Sequence, residues 1–340
     1  MPSLPTLDIS AFLVNPHSRE SELFVRELLA ACHGPGFCYL IGHGVRPDLD
    51  QAILEVAGRF FSLPETQRRE IAIGHSPHFR GYTILGDERT QGKSDWRDQI
   101  DFGPEEPAMT LGSGERPWLR LRGPNQWPAS LPDMRDTVVD WMQAMQPLGE
   151  NIMRALALGL GQPMNCFDAS MAPNPYSRLK VIRYPAQARR TNTGQGLGLH
   201  HDSGLLSFVL QDEIPGLQVQ IGDELVDVHH QPGAYVMNLG EMLQAASRGY
   251  LRATKHRVES PPAGKQRISI AFFMNPRLDA EFTPLKLPPH LMLDAPGGQN
   301  ANPRDPVFSS FGYNTLKIRM RAHPDVAERF YADVGPLSSP

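Results

Sequence analysis

Between about residue 171 and residue 276 the chain is cut into short β-rich runs, at 179–184, 205–211, 217–221, 234–238, 253–258 and 267–274. Turn signals separate several of them: Pro215-Gly216, Gly222-Asp223, Pro232-Gly233 and Pro261-Pro262-Ala263-Gly264. Many short strands with regular turns fit an antiparallel sandwich or barrel.

The flanks have a different character. Residues 4–9 read as a short strand, and 36–42 (Gly-Phe-Cys-Tyr-Leu-Ile-Gly) as a buried strand between glycines. Segments 20–32 and 48–61 carry helical periodicity. From Arg80 to Gln126 the chain is rich in Gly, Pro and charge without sustained period, as functional loops often are. Apolar residues from Val138 through Met142, Met145, Leu148 and Ile152 to Leu156 predict one long amphipathic helix over 132–160, with a kink at Pro147. The tail after Arg277 is loop-rich up to a final helix over 323–334. No internal repeat is visible.

Composition narrows the function classes. Apolar residues make up 40% and charged residues 21%, the balance of a globular protein. The net charge is −4 and no Lys/Arg run stands out, which argues against nucleic acid and anionic membranes as partners. Cys32, Cys38 and Cys166 form no disulfide or zinc-ribbon pattern. Met1 to Ser10 does not read as a signal peptide, and the apolar stretches fall short of the ~20 residues that a membrane span needs. The default compartment is the cytoplasm.

The chemistry starts at Leu199-His200-His201-Asp202-Ser203. Residues two apart on a strand project to one side, so His200 and Asp202 can face a common point. His256, on another predicted strand, offers a third ligand. Two imidazoles and a carboxylate on one face of an octahedron leave sites open for a bidentate acid and O2, which suits Fe(II). Taken alone, His-x-Asp equally fits a surface turn. Arg267-Ile268-Ser269 follows eleven residues after His256. Its guanidinium fork and hydroxyl would share a strand face and could hold a carboxylate. The bland alternative is an arginine at the sandwich rim, in water.

His200-x-Asp202, His256 and Arg267-x-Ser269 in this order resemble the signature of Fe(II)/2-oxoglutarate dioxygenases of the isopenicillin N synthase-like family. The surroundings agree: Gly216-Leu-Gln-Val219, Pro232-Gly-Ala-Tyr-Val-Met-Asn238, Lys255-His-Arg-Val258 and, at the front, Gly36-Phe-Cys-Tyr-Leu-Ile-Gly-His-Gly44. The resemblance implies a mainly β fold: a double-stranded β-helix (jelly-roll) core over 173–280, wrapped by an N-terminal α/β region (1–120) and a long helical connector (121–172). A C-terminal loop and helix (281–340) would cover the site. It implies Fe(II) held by His200, Asp202 and His256, with 2-oxoglutarate as co-substrate and O2 as oxidant. Arg267 and Ser269 would take the distal carboxylate, joined by Tyr184, which otherwise reads as a buried aromatic. Ile182 stands where many members carry Asn.

The expected reaction is oxidation, chiefly hydroxylation, of a C–H bond in a small metabolite, yielding succinate and CO2. Arg183 is a candidate for an acidic group on that substrate, or else a structural salt bridge; Arg80 and Gln99 are further candidates. His201 is expected to face outward or into a second layer, and His43 to be structural. Rival readings are an Fe(II) oxidase without 2-oxoglutarate, an ethylene-forming enzyme, a binding module with a vestigial site, and a zinc hydrolase. The sequence leaves oligomeric state open.

Overall fold

The computed structural model describes residues 3–90, 92–109, 111–112, 114–187, 195–297 and 307–335. Before the long helix lie β1 (Thr6–Asp8), β2 (Phe37–Ile41), β3 (Gly81–Thr83), β4 (Arg89–Thr90), β5 (Lys93–Ser94) and β6 (Asp98–Phe102). After it come β7 (Arg178–Tyr184), β8 (Gln195–His200), β9 (Leu206–Gln211) and β10 (Leu217–Ile221). They are followed by β11 (Glu224–Asp227), β12 (Tyr235–Leu239), β13 (His256–Glu259) and β14 (Arg267–Met274).

These strands form the two sheets of a jelly roll. The larger has the order β1-β2-β12-β9-β14-β7-β6-β3 and the smaller β11-β10-β13-β8, with β4 and β5 as a separate hairpin. The core strands pair antiparallel, whereas β1 runs parallel to β2. The N-terminal region therefore does not stand apart: its strands hydrogen-bond onto both edges of the core sheet.

The larger sheet is buried on both faces, and strand alternation sorts its side chains. On β14, Ile268, Ile270, Phe272 and Met274 join the core beneath the helices, whereas Arg267, Ser269, Ala271 and Phe273 face a cavity between the sheets. On β7, Leu179 and Val181 face the helices while Arg178, Lys180, Ile182 and Tyr184 face the cavity.

The helix Met134–Gly159 runs through Pro147 unbroken and buries Val138, Trp141, Met145, Leu148 and Ile152. It packs against helices Arg19–His33 and Pro47–Ser62 and against β14. Gly149 allows that approach, since a Cβ there would meet the Met274 sulfur at 2.7 Å. His43 is structural in the manner expected, stacked on Tyr235 with ring centroids 4.3 Å apart.

Three departures from the sequence reading bear on function. Part of the stretch read as irregular, 80–126, forms β3 to β6. The tail contains a helix, Phe311–Ala322, before the last one, Pro324–Phe330. Strand β8 escaped notice because its Gly196 and Gly198 lack strand propensity. Both glycines serve close packing: a Cβ at Gly196 would meet the Tyr184 ring at 2.8 Å, and one at Gly198 would meet Thr90 at 2.7 Å.

Candidate active site

His200 ends β8 and lies directly across from His256, the first residue of β13. Their rings are 4.3 Å apart between centroids. Asp202 follows in the loop after β8 and brings Oδ1 to 3.7 Å from His200 Nε2 and 3.8 Å from His256 Nε2. Three potential ligand atoms within 4.8 Å of one another thus converge on a single point.

Outer contacts fix which atoms point there. His200 Nδ1 sits 2.9 Å from the Gly198 carbonyl and His256 Nδ1 3.2 Å from the Thr254 carbonyl. A carbonyl only accepts, so each Nδ1 donates its proton and each Nε2 keeps its lone pair for a metal. Asp202 Oδ2 accepts from Ser207 Oγ at 2.6 Å and Asn238 Nδ2 at 2.7 Å, leaving Oδ1 free. Burial, helped by the neighbouring His200, lowers His256 to about 4, so its ring is neutral at pH 7. Burial raises the Asp202 carboxyl, but the two imidazoles and the Asn238 amide outweigh it and hold the group ionised. The protonation states are those that ligate a divalent cation.

The triad opens into a cavity of about 700 Å3 whose far end holds Arg267, Ser269 and Tyr184. Arg267 is fully buried. One nitrogen donates to Gln211 Oε1 at 3.0 Å, and the guanidinium lies 5.2 Å from the centre of the Tyr184 ring. Its Nε and Nη1 are buried without a partner. An interior guanidinium in that condition costs several kcal/mol unless an anion completes it, and Ser269 and Tyr184 share the wall into which it faces. Ile182, at the position where an Asn was noted as frequent, adds only apolar surface.

The substrate candidates fare differently. Arg183 is moved out of that role: on β7 it has the opposite parity from Tyr184, and its guanidinium clasps Asp98 at 2.6 and 2.9 Å while stacking on Phe61, away from the cavity. Arg80 is likewise not in the cavity wall; it is fully buried over the Tyr176 ring. Gln99 sits one layer behind, donating to Glu88 at 2.8 Å and Asp101 at 2.9 Å. His201, expected to face away, is half-buried and contributes to the wall.

Residues that the sequence does not single out line the cavity, among them Glu88, Asp95, Arg97, Arg178, Lys180 and Arg319, from the 80–103 stretch, the β-core interior and the C-terminal tail, the segments expected to build the substrate pocket. For Arg178 and Lys180 a signal existed. Once Tyr184 faces inward, the two-residue period of a strand places 178, 180 and 182 inward and 183 outward.

A jelly roll holding two imidazoles and one carboxylate on a common side suits a non-haem iron centre with open coordination sites. Comparison with known proteins agrees. Residues 4–130 match the family described as non-haem dioxygenase in morphine synthesis N-terminal, and residues 176–276 match the 2OG-Fe(II) oxygenase superfamily. The 2-oxoglutarate-dependent dioxygenase frbJ of Dothideomycetidae sp. (strain 11243) is 32% identical, the alignment covering 96% of this chain and 92% of that protein. A homoarginine-6-hydroxylase of Arabidopsis thaliana, 2-ODD-C23.1, is 33% identical over 84% of this chain and 88% of its own length. Among solved structures, a full-length Neurospora crassa protein in complex with alpha-KG and 5-formyluracil superposes with a TM-score of 0.74 at 25% identity, covering 93% of this chain and 96% of that one.

The chain belongs to the 2OG-Fe(II) oxygenase superfamily. It is a 2-oxoglutarate-dependent dioxygenase that uses Fe(II), 2-oxoglutarate and O2 on a small substrate. No helix among the described residues is long and apolar enough to cross a membrane.

Proposed function

We propose that His200, Asp202 and His256 ligate the iron, that Arg267, Ser269 and Tyr184 receive the distal carboxylate of 2-oxoglutarate, and that the enzyme hydroxylates a C–H bond of a small metabolite. The observation that carries this is the pair of unpartnered nitrogens on buried Arg267, facing a cavity that also holds the triad. Bound Fe(II) with 2-oxoglutarate supplies O2 activation and C–H oxidation, with succinate and CO2 as co-products. The protein's own residues position: the Gly198 and Thr254 carbonyls hold the imidazoles, and Ser207 and Asn238 hold the carboxylate.

The buried anion site favours this reading over a zinc hydrolase, which would have no use for it, and relatives named as 2-oxoglutarate-dependent dioxygenases favour it over an iron oxidase that dispenses with the co-substrate. Relatives named as homoarginine hydroxylases, and a neighbour solved with 5-formyluracil, support a small polar metabolite as substrate. The three free cysteines, two of them buried, fit a reducing cytoplasm.

Calorimetry of 2-oxoglutarate into the anaerobic Fe(II) protein tests the assignment. Truncating one partner of a buried charge pair costs ~2–5 kcal/mol, so Arg267→Met should weaken 2-oxoglutarate by at least ~30-fold while iron content stays at the wild-type level. Wild-type affinity in that variant would remove the role. A metabolite screen for stimulated succinate release then identifies the substrate.

A further inference from the structure

We infer that the prime substrate carries a carboxylate and that Arg178 receives it, at the end of the cavity remote from Arg267; the inference rests on the oxygenase reading above and names the substrate class.

Sheet register fixes the place. Asn238, Ser207, Phe273 and Arg178 lie in one row across β12, β9, β14 and β7. The first two are the residues that hold Asp202 Oδ2. Arg178 is thus level with the metal's carboxylate and two strands away from Ser207, or ~10 Å. Arg267 pairs with Tyr184, six residues further along β7, or ~20 Å. A diacid anchored at Arg267 and a second acid anchored at Arg178 would approach the metal from different sides.

Charge explains why Arg178 is available where the cations packed around it are not. Glu88 binds Arg97 at 2.5 Å and Lys180 at 3.3 Å. Asp101 binds Arg319 at 2.6 Å and Lys180 at 3.8 Å. Arg178 has no hydrogen-bond or ion-pair partner among the described residues, and its Nε is buried without one. The Phe273 ring lies 5.4 Å from the guanidinium carbon, and neither terminal nitrogen has a partner among the described residues. Burial, then the adjacent Arg319, push its pKa down to about 10 against the opposing pull of Tyr176 and Asp101, and it stays charged at pH 7. A planar fork lacking an anion in a cavity wall matches a carboxylate bidentately.

The test uses a panel of small carboxylic acids, each paired with its primary amide, titrated calorimetrically into the anaerobic Fe(II) protein saturated with 2-oxoglutarate so that Arg267 is already occupied. At least one acid should bind ~10-fold or more tighter than its amide, and Arg178→Gln should erase that preference with 2-oxoglutarate affinity unchanged. Arg178→Lys, which keeps the charge and loses the fork, should retain part of it and serves if the glutamine variant does not fold. Failure of every acid to outbind its amide, or a preference that survives Arg178→Gln, overturns the inference while leaving the oxygenase reading intact. Absence of 2-oxoglutarate binding in the wild type sinks the reading itself, and this inference with it.

Discussion

Among the described residues, two places bring three histidine and carboxylate groups within 4.8 Å of one another: His200, Asp202 and His256, and Glu88, Asp101 and His323. By residue type either could hold a metal. Around Glu88 and Asp101 the counter-charge is already present, in Arg97, Lys180 and Arg319. Around Asp202 there is no lysine or arginine pair among the described residues, only the neutral donors Ser207 and Asn238 and two imidazoles held by carbonyls. The second cluster is a finished ion-pair network, whereas the first leaves its carboxylate without a lysine or arginine partner among the described residues, as the proposed metal ligands require. Residue type alone does not separate the two clusters; the presence or absence of internal counter-charge does.

The contrast breaks most sharply on Asp202. Asp202→Ala should take iron content to background in anaerobic reconstitution, a loss beyond the ~10–100-fold that follows when only an outer partner of a ligand is removed. Asn238→Ala should fall within that smaller range. Glu88→Gln should leave iron content unchanged. Iron retained by the Asp202 variant, or lost with Glu88, would reverse the assignment of the two clusters.

The network should answer in stability instead. Arg319 is 2% exposed and bonds Asp101 Oδ1 at 2.6 Å, so Arg319→Met leaves the buried carboxylate only the Gln99 amide and the more distant Lys180. Breaking a buried pair from one side costs ~3–5 kcal/mol, which urea unfolding would register as a lower midpoint with an unchanged slope. A loss under ~1 kcal/mol would mean that Lys180 and Gln99 suffice for Asp101.

The same contrast marks what the sequence made legible. Arg267-x-Ser269 can be read because it opens a strongly patterned β-run, whereas His200-x-Asp202 is legible from its spacing and its order ahead of His256 alone, since β8 is glycine-rich and Asp202 lies in the loop after it. The network cannot be read that way. Glu88, Asp101, Lys180 and Arg319 come from the β4 side of the hairpin, β6, β7 and the helix Phe311–Ala322, and only the packed fold makes them neighbours. Charged residues in a Gly- and Pro-rich stretch without period read as irregular functional loop, and their partners become visible only with β6 pairing with β7 along 98–102. Of the two readings of Arg183, the structural salt bridge is the one the structure bears out, since adjacency to Tyr184 on a strand means opposite faces and its guanidinium clasps Asp98.

The smallest expected effect separates the clusters by pH. His323 lies 3.5 Å from Glu88, with Arg319, Asp101 and Lys180 around it. Burial dominates, and His323 falls to about 4 against an ordinary 6.5. Between these values the unfolded chain takes up a proton that the folded one refuses, so stability drops as pH falls from 6.5 toward 4. Burial raises Glu88, but Lys180, Arg97 and His323 outweigh it and hold the group at about 2, against an ordinary 4.5. Its contribution is therefore lost lower, as pH falls from 4.5 to 2. Unfolding free energies of wild type and His323→Gln, measured in the same metal state, should converge by on the order of 1–3 kcal/mol between pH 7 and 4.5 and run parallel below 4. Curves parallel throughout would mean that His323 titrates as it would in water, and that the network tolerates a further positive charge beside the three cations it already holds.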